Sequence, residues 1–168
     1  GIVSTTIEKS SARMISLNHN GDELLGNGGC GYLQVVVDGE FAAPLNAVYS
    51  VTSNDSGLAD ISHKWSVGAL NFDYHYGLRS GDSGIYSYMT IEYDPSRAAA
   101  AQIEQITYVL RTDKEIFNRM YIEEDRIFDM PTPEELRAGK TLSPPEATLL
   151  KNGKVDHKIR SQAIKGFL

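Results

Sequence analysis

Leu70-Asn71-Phe72-Asp73-Tyr74-His75-Tyr76-Gly77-Leu78 is the stretch on which the fold turns. Phe72, Tyr74 and Tyr76 recur at every second residue, with Asp73 and His75 between them. A period of two puts the three rings on one face of an extended strand and the two polar side chains on the other. Rings so spaced are expected to line the core of a sandwich. The aromatic set from Phe72 to Tyr93 is also chemically suited to stacking on sugar rings.

On either side of this stretch the turn signals Asn54-Asp55-Ser56-Gly57 and Arg79-Ser80-Gly81-Asp82-Ser83-Gly84 fit hairpin connections. Further strands are expected at residues 32–37, 46–52, 59–65, 84–93 and 106–110, and towards the N-terminus at 1–8 and 13–18. In the 13–18 run, Met14 and Ser16 alternate against Arg13, Ile15 and Leu17. Asn20-Gly21-Asp22 then reads as a hairpin turn into Glu23-Leu24-Leu25. Gly26-Asn27-Gly28-Gly29-Cys30-Gly31 is a turn and no phosphate loop, because no Gly-Lys-Ser/Thr closes it and no helical pattern follows. Residues 97–103 fit either a short helical turn or a small-residue loop. Many short strands with Gly-rich turns predict an all-β sandwich or barrel, with no helix across residues 30–95.

Beyond Arg111 the pattern changes. Residues 112–128 mix charges with Phe117, Met120, Tyr121 and Ile122 and keep no strict period. One short helix is predicted at 133–138: Thr132 caps it, Pro133 suits its first turn, Glu134 and Glu135 favour its N-terminal end, and Gly139 ends it. A strand at 147–150 turns at Asn152-Gly153 into a second at 155–160.

The chain of 168 residues, 41% hydrophobic, is large enough for one domain with a real core. It has no run of eighteen or more apolar residues, which argues against a membrane-spanning helix. Its first residues lack the basic start and apolar centre of a signal peptide, so any export signal is expected to lie outside this sequence. Cys30 is the only cysteine, so the chain has neither an internal disulfide nor a cysteine metal cluster. A net charge of −6 argues against nucleic acid as a partner. The basic charge gathers at the end: residues 151–168 hold Lys151, Lys154, Lys158, Arg160 and Lys165 against Asp156 alone. Such a segment suits either contact with a polyanion or a solvated strand edge.

No catalytic spacing stands out by itself. His19, His63, His75 and His157 form no metal-binding pattern. Glu123, Glu124 and Asp125 read as a solvated face more readily than as a glycosidase pair. Ser56 and Ser83 lack the setting of a nucleophile elbow.

Several ordered segments, however, resemble the rhamnogalacturonan lyases of polysaccharide lyase family four. They are His75-Tyr76-Gly77-Leu78-Arg79 with Ser83-Gly84-Ile85-Tyr86-Ser87-Tyr88, then Tyr108-Val109-Leu110-Arg111 through Asp113 to Ile116-Phe117-Asn118, then Asp125-Arg126 with Met130-Pro131-Thr132-Pro133-Glu134-Glu135. Glu146-Ala147-Thr148-Leu149-Leu150 with Asn152-Gly153, Val155-Asp156 and Lys158 completes the set, whose order and spacing hold over about residues 70–160. Gly1-Ile2-Val3 and Gly21-Asp22-Glu23-Leu24-Leu25 look like the family's first strands.

The resemblance implies a galactose-mutarotase-like antiparallel β-sandwich. It implies cleavage of the rhamnose–galacturonic acid backbone by β-elimination, which leaves an unsaturated uronate. The reaction needs a base for the C5 proton, neutralisation of the adjacent carboxylate and an acid for the leaving oxygen. Lys158 matches the family's base, and Lys154, Arg160 and Lys165 are the sequence-local cations that would depress its pKa. Alternation through the hairpin would put Lys158 on the face of Asp156 and Arg160, opposite His157 and Ile159.

The family's acid, a histidine, lies well downstream of its lysine. It is therefore expected beyond Leu168, and the chain is expected to be the front part of a catalytic domain, without the family's fibronectin-like and carbohydrate-binding modules. Where the family tends to carry an arginine before Arg111, this sequence reads Glu104-Gln105-Ile106-Thr107. Arg111 and Arg160 are the substrate-binding candidates. No cofactor is expected in catalysis, any calcium would be structural, and the partner would be an acidic pectic polysaccharide met by a secreted or periplasmic monomer. The rival reading is a non-catalytic carbohydrate-binding or structural β-sandwich.

Overall fold

The computed structural model describes residues 2–123, 126–143 and 147–157, and the chain divides into two units, Gly1–Ile116 and Phe117–Leu168. In chain order the first unit holds β1 (Val3–Ile7), β2 (Met14–His19), β3 (Asp22–Glu23), β4 (Cys30–Val37), β5 (Glu40–Phe41), β6 (Val48–Asn54), β7 (Leu58–Val67), β8 (Leu70–Arg79), β9 (Tyr86–Tyr93) and β10 (Ile103–Arg111). They form two antiparallel sheets. A six-stranded sheet runs β1-β2-β4-β10, with β3 on β2 and β5 on β4, and a four-stranded sheet runs β6-β7-β8-β9.

The aromatic alternation decides which way β8 faces. Phe72, Tyr74 and Tyr76 are at most 4% exposed and pack with Met14, Leu33, Val35 and Val37 of the opposite sheet. The two sheets therefore meet face to face over one core, as the sequence predicts, and burial of a ring such as Phe72 contributes about 1.5–3 kcal/mol. Trp65 stacks on Phe72 with centroids 4.9 Å apart and donates its indole N–H to the Ala42 carbonyl at 3.2 Å. The Tyr76 hydroxyl crosses between the sheets to the Ala12 carbonyl at 3.0 Å. A buried ring thus keeps its polar end satisfied.

Strand β2 departs from the simple alternation. Its register with β1 runs Thr6↔Ser16 and then Ile7↔Met14, so Ile15 is bulged and 45% exposed. The bulge shifts the faces, and Met14 and Leu17 both reach the core despite their odd separation. Residues 97–103 form no helix, and β10 begins at Ile103.

In the second unit the region without a strict period contains a hairpin the sequence did not announce, β11 (Arg119–Glu123) with β12 (Arg126–Asp129). The predicted helix is α1 (Pro133–Ala138). Thr132 accepts from the Glu135 N–H while the Glu135 side chain accepts from the Thr132 N–H, a reciprocal capping box. A three-stranded sheet follows, β13 (Lys140–Thr141), β14 (Ala147–Leu149) and β15 (Val155–His157), with Ala147↔His157 and Leu149↔Val155 as register pairs around the Asn152-Gly153 turn. The predicted hairpin is therefore present across its described part. Lys158 and Arg160 lie outside the described residues, as do Glu124 and Asp125.

Candidate functional site

Arg111 ends β10 opposite Cys30, the first residue of β4. Its position depends on the glycine loop before β4. A Cβ on Gly29 would lie 1.7 Å from the Leu25 carbonyl oxygen and 2.5 Å from that of Arg111, so only glycine lets the loop fold back onto the end of β10. The loop leads into a strand, in keeping with its reading as a turn and not a phosphate cradle.

The Arg111 guanidinium lies over the Tyr32 ring, 5.7 Å from its centroid, and donates from Nη2 to the Tyr32 hydroxyl at 3.3 Å. Cation and aromatic face attract each other, and the planar guanidinium keeps further donors free. A second arginine joins it from a different element. The turn before β2 holds Ala12 at φ 54°, a left-handed conformation closed by Ala12 N–H to the Glu8 carbonyl at 3.0 Å and Glu8 N–H to the Arg13 carbonyl at 2.8 Å. Such a conformation costs a non-glycine residue roughly 1–2 kcal/mol, and here it turns the chain so that Ala12 is buried while Arg13 stays exposed.

Arg13 and Arg111 line one hollow of about 310 Å³ together with Ser11, Cys30, Tyr32 and Pro44. Hydrogen bonding with the Cys30 thiol holds Arg13 above its ordinary pKa, and the Tyr32 hydroxyl does the same for Arg111. Both are permanent cations. Among the described residues the carboxylate ion-paired with Arg13 is Glu8, at 4.0 Å, with both side chains well exposed, so the pairing contributes little and competes weakly with a ligand. Two guanidiniums in one hollow can offer paired N–H donors to a carboxylate.

Arg111 is thus the one sequence-derived site residue that the described structure places in a hollow. Arg13 escaped the sequence reading because nothing local distinguishes it; only the Met14↔Gly31 pairing brings the start of β2 beside the start of β4. Gln105 and Thr107, where the family tends to carry an arginine, are joined by a hydrogen bond of 2.9 Å. The described histidines do not converge. His63 is fully buried between Tyr49 and Tyr76, whereas His75 lies on the other face of the four-stranded sheet. Burial pushes the His63 pKa down, against smaller opposing effects from the Glu8 and Tyr74 backbone. Among the described residues no group of three or more His, Cys, Asp or Glu side chains is placed to hold a metal ion, and no helix is long and apolar enough to cross a membrane.

No curated protein matches the chain. The model of the rhamnogalacturonate lyase family matches residues 47–163, a span that includes the whole four-stranded sheet, β10 with Arg111, and Lys158. Its coverage of well over half the sequence, together with the all-β sandwich described above, establishes that the chain belongs to the rhamnogalacturonate lyase family.

Proposed function

We propose that the protein is a polysaccharide lyase that cleaves the rhamnose–galacturonic acid backbone of rhamnogalacturonan by β-elimination, with Lys158 as the base and with Arg13 and Arg111 as substrate-binding residues for a uronate carboxylate. The observation that carries the reading is the two-arginine hollow beside Tyr32 in a chain of this family.

The chemistry assigns each part a task. Removing the C5 proton places negative charge next to a carboxylate that is already negative. Positive charge fixed on that carboxylate stabilises the developing charge and makes the proton more acidic. Lys158 would take the proton, provided that desolvation and the neighbouring cations Lys154 and Arg160 keep it neutral at working pH. The C4–O bond then breaks, the leaving oxygen receives a proton from a general acid, and the product carries a C4–C5 double bond. Arg160 is the further substrate-binding candidate. In this scheme organic cations do the work a divalent cation would do at the carboxylate, so catalysis needs no cofactor and calcium has at most a structural part. A monomer acting outside the cytoplasm on an acidic polysaccharide fits this chemistry.

The test is formation of unsaturated uronate, followed by its ultraviolet absorbance on rhamnogalacturonan. The proposal expects product from the complete enzyme and loss of it in Lys158→Ala and in Arg13→Ala/Arg111→Ala. Polysaccharide binding with no product from the complete enzyme would point instead to a non-catalytic carbohydrate-binding sandwich.

A further inference from the structure

The outer face of the four-stranded sheet carries a second set of interactions that the lyase scheme does not use. On this face Ser62 pairs across from His75 and Lys64 from Asp73, while His75 pairs across from Tyr88 and Gly77 from Tyr86. His75 is only 7% exposed and is gripped at both ring nitrogens. Nδ1 lies 2.7 Å from Oδ1 of Asp60 and Nε2 lies 3.0 Å from Oδ1 of Asp73. The carboxylates are themselves held: Thr52 donates to Asp60, Ser62 donates to Asp73, and Lys64 sits 3.3 Å from the other Asp73 oxygen. Burial pushes the Asp73 pKa up, but hydrogen bonds from Ser62, His75 and Lys64 outweigh it and leave the carboxyl below its ordinary range.

On top of this network lies Tyr88. Its ring stacks on the imidazole with centroids 4.4 Å apart and planes 13° apart, and its hydroxyl is 3.0 Å from Nδ1. One face of the ring is thus fixed to the protein, yet the residue is 51% exposed, so the other face is open to solvent. Two residues earlier on the same face Tyr86 is 52% exposed, tied through its hydroxyl to Asp82 at 2.7 Å, with the Arg79 guanidinium over one face of its ring, 5.5 Å from the centroid. In the other direction along β9 come Thr90 and Glu92. With Lys64, Ser66, Asn71 and Asp73 they line an open groove of about 650 Å³. Tyr86 to Glu92 spans roughly 20 Å of strand, a row of two aromatic surfaces followed by hydroxyl-binding groups.

We propose that this face is a second polysaccharide-binding site, separate from the arginine hollow, which takes neutral pyranose units by stacking them on Tyr88 and Tyr86 and seating the next unit's hydroxyls in the groove. The ligand class follows from two features. A flat ring immobilised from below and open above offers the apolar face of a sugar a surface at little cost in conformational freedom. The surrounding charges give no surplus of cations, because Lys64 and Arg79 stand against Asp60, Asp73, Asp82 and Glu92 even with His75 counted as charged. A site with that balance does not select a uronate; within the polymer of the proposed function, on which this inference rests for its ligand, it selects the rhamnose units.

The test titrates the protein with rhamnogalacturonan oligosaccharides and, separately, with oligogalacturonate, which lacks rhamnose, while the Tyr86, Tyr88 and His75 ring resonances are followed by NMR. The first is expected to shift all three rings, with an affinity unchanged between low and high salt, and the second to leave them in place. Tyr88→Ala should weaken this binding on the order of tenfold, and Tyr88→Phe, which keeps the ring, should restore most of it. Neither substitution should alter turnover on a short substrate. Unmoved rings in the wild type, equal response to both sugars, or full affinity in a folded Tyr88→Ala protein would each overturn the site. If Tyr88→Ala does not fold, the wild-type resonances alone decide. A wild type that forms no unsaturated uronate but shows the rhamnose-dependent shifts loses the lyase reading and keeps this one; turnover without the shifts does the reverse.

Discussion

The two outer faces of the sandwich use charge in opposite ways. On the six-stranded sheet, Arg13 and Arg111 stand in a hollow with one distant carboxylate partner between them among the described residues, so their charge is available to a ligand. On the four-stranded sheet every charged group near His75 is already matched, and the exposed feature is the aromatic surface of Tyr88 lying on that matched network. Uncompensated charge marks where a ligand's charge is to be bound, whereas compensated charge beneath an open ring marks a surface built for shape.

The comparison breaks most sharply at the base. In the complete enzyme, Lys158→Ala should cost on the order of 10²-fold or more in turnover with an unchanged melting curve. Near-normal turnover in a folded variant would remove Lys158 from the proposed chemistry. Next in size is His75→Leu. It leaves Asp60 and Asp73 facing each other without the imidazole, and a broken buried pair of this kind costs about 3 kcal/mol or more. A large fall in the melting temperature is expected, and a fall of only a degree or two would show that the network is not what holds the face together.

Arg111→Ala should lower kcat/KM roughly 10- to 100-fold, the size of a charge-assisted hydrogen bond to a carboxylate, while stability barely moves. The effect should diminish at high salt, in contrast to sugar binding on the tyrosine face.

Acid should separate the core from the faces. The His63 pKa is depressed by burial, so the unfolded chain takes up the proton first. Stability from this residue is complete above the ordinary histidine range near 6.5 and is lost as pH falls through that range towards the folded value. The Asp73 pKa is also depressed, so its stabilisation is complete above about 3.9 and is lost only at lower pH, through its folded value. Denaturant unfolding as a function of pH should therefore show an upper decline that disappears in His63→Phe and a lower one that remains. The smallest effect is expected at Tyr86→Ala, within about 0.5 kcal/mol in stability, because the residue is half exposed and its hydroxyl partner Asp82 is a surface turn residue.

The strands, the Thr132-capped helix and the Asn-Gly hairpin were legible because each depends on neighbours within a few residues. Alternation at Phe72, Tyr74 and Tyr76 assigns the inner face of β8 whatever the rest of the chain does, and a capping box is complete within four positions. The β2 bulge was not legible, since no local signal says that Ile15 will be skipped; the register with β1 decides it. The β11–β12 hairpin was missed because residues 112–128 mix charged and apolar side chains without a strict period of two.

By itself, then, the sequence determined the fold class, the inner face of the central strand and the resemblance to the lyase family, all carried by short-range pattern or by the order of segments. The tertiary structure decided which distant side chains share a face. Arg13 meets Arg111 only because β4 pairs with both β2 and β10, and His75 meets Asp60 only because the β7–β8 register sets Asp60 opposite Gly77 and Ser62 opposite His75. Pairing partners are chosen by burial of the whole core, a property of all the strands together that no single strand's residues encode.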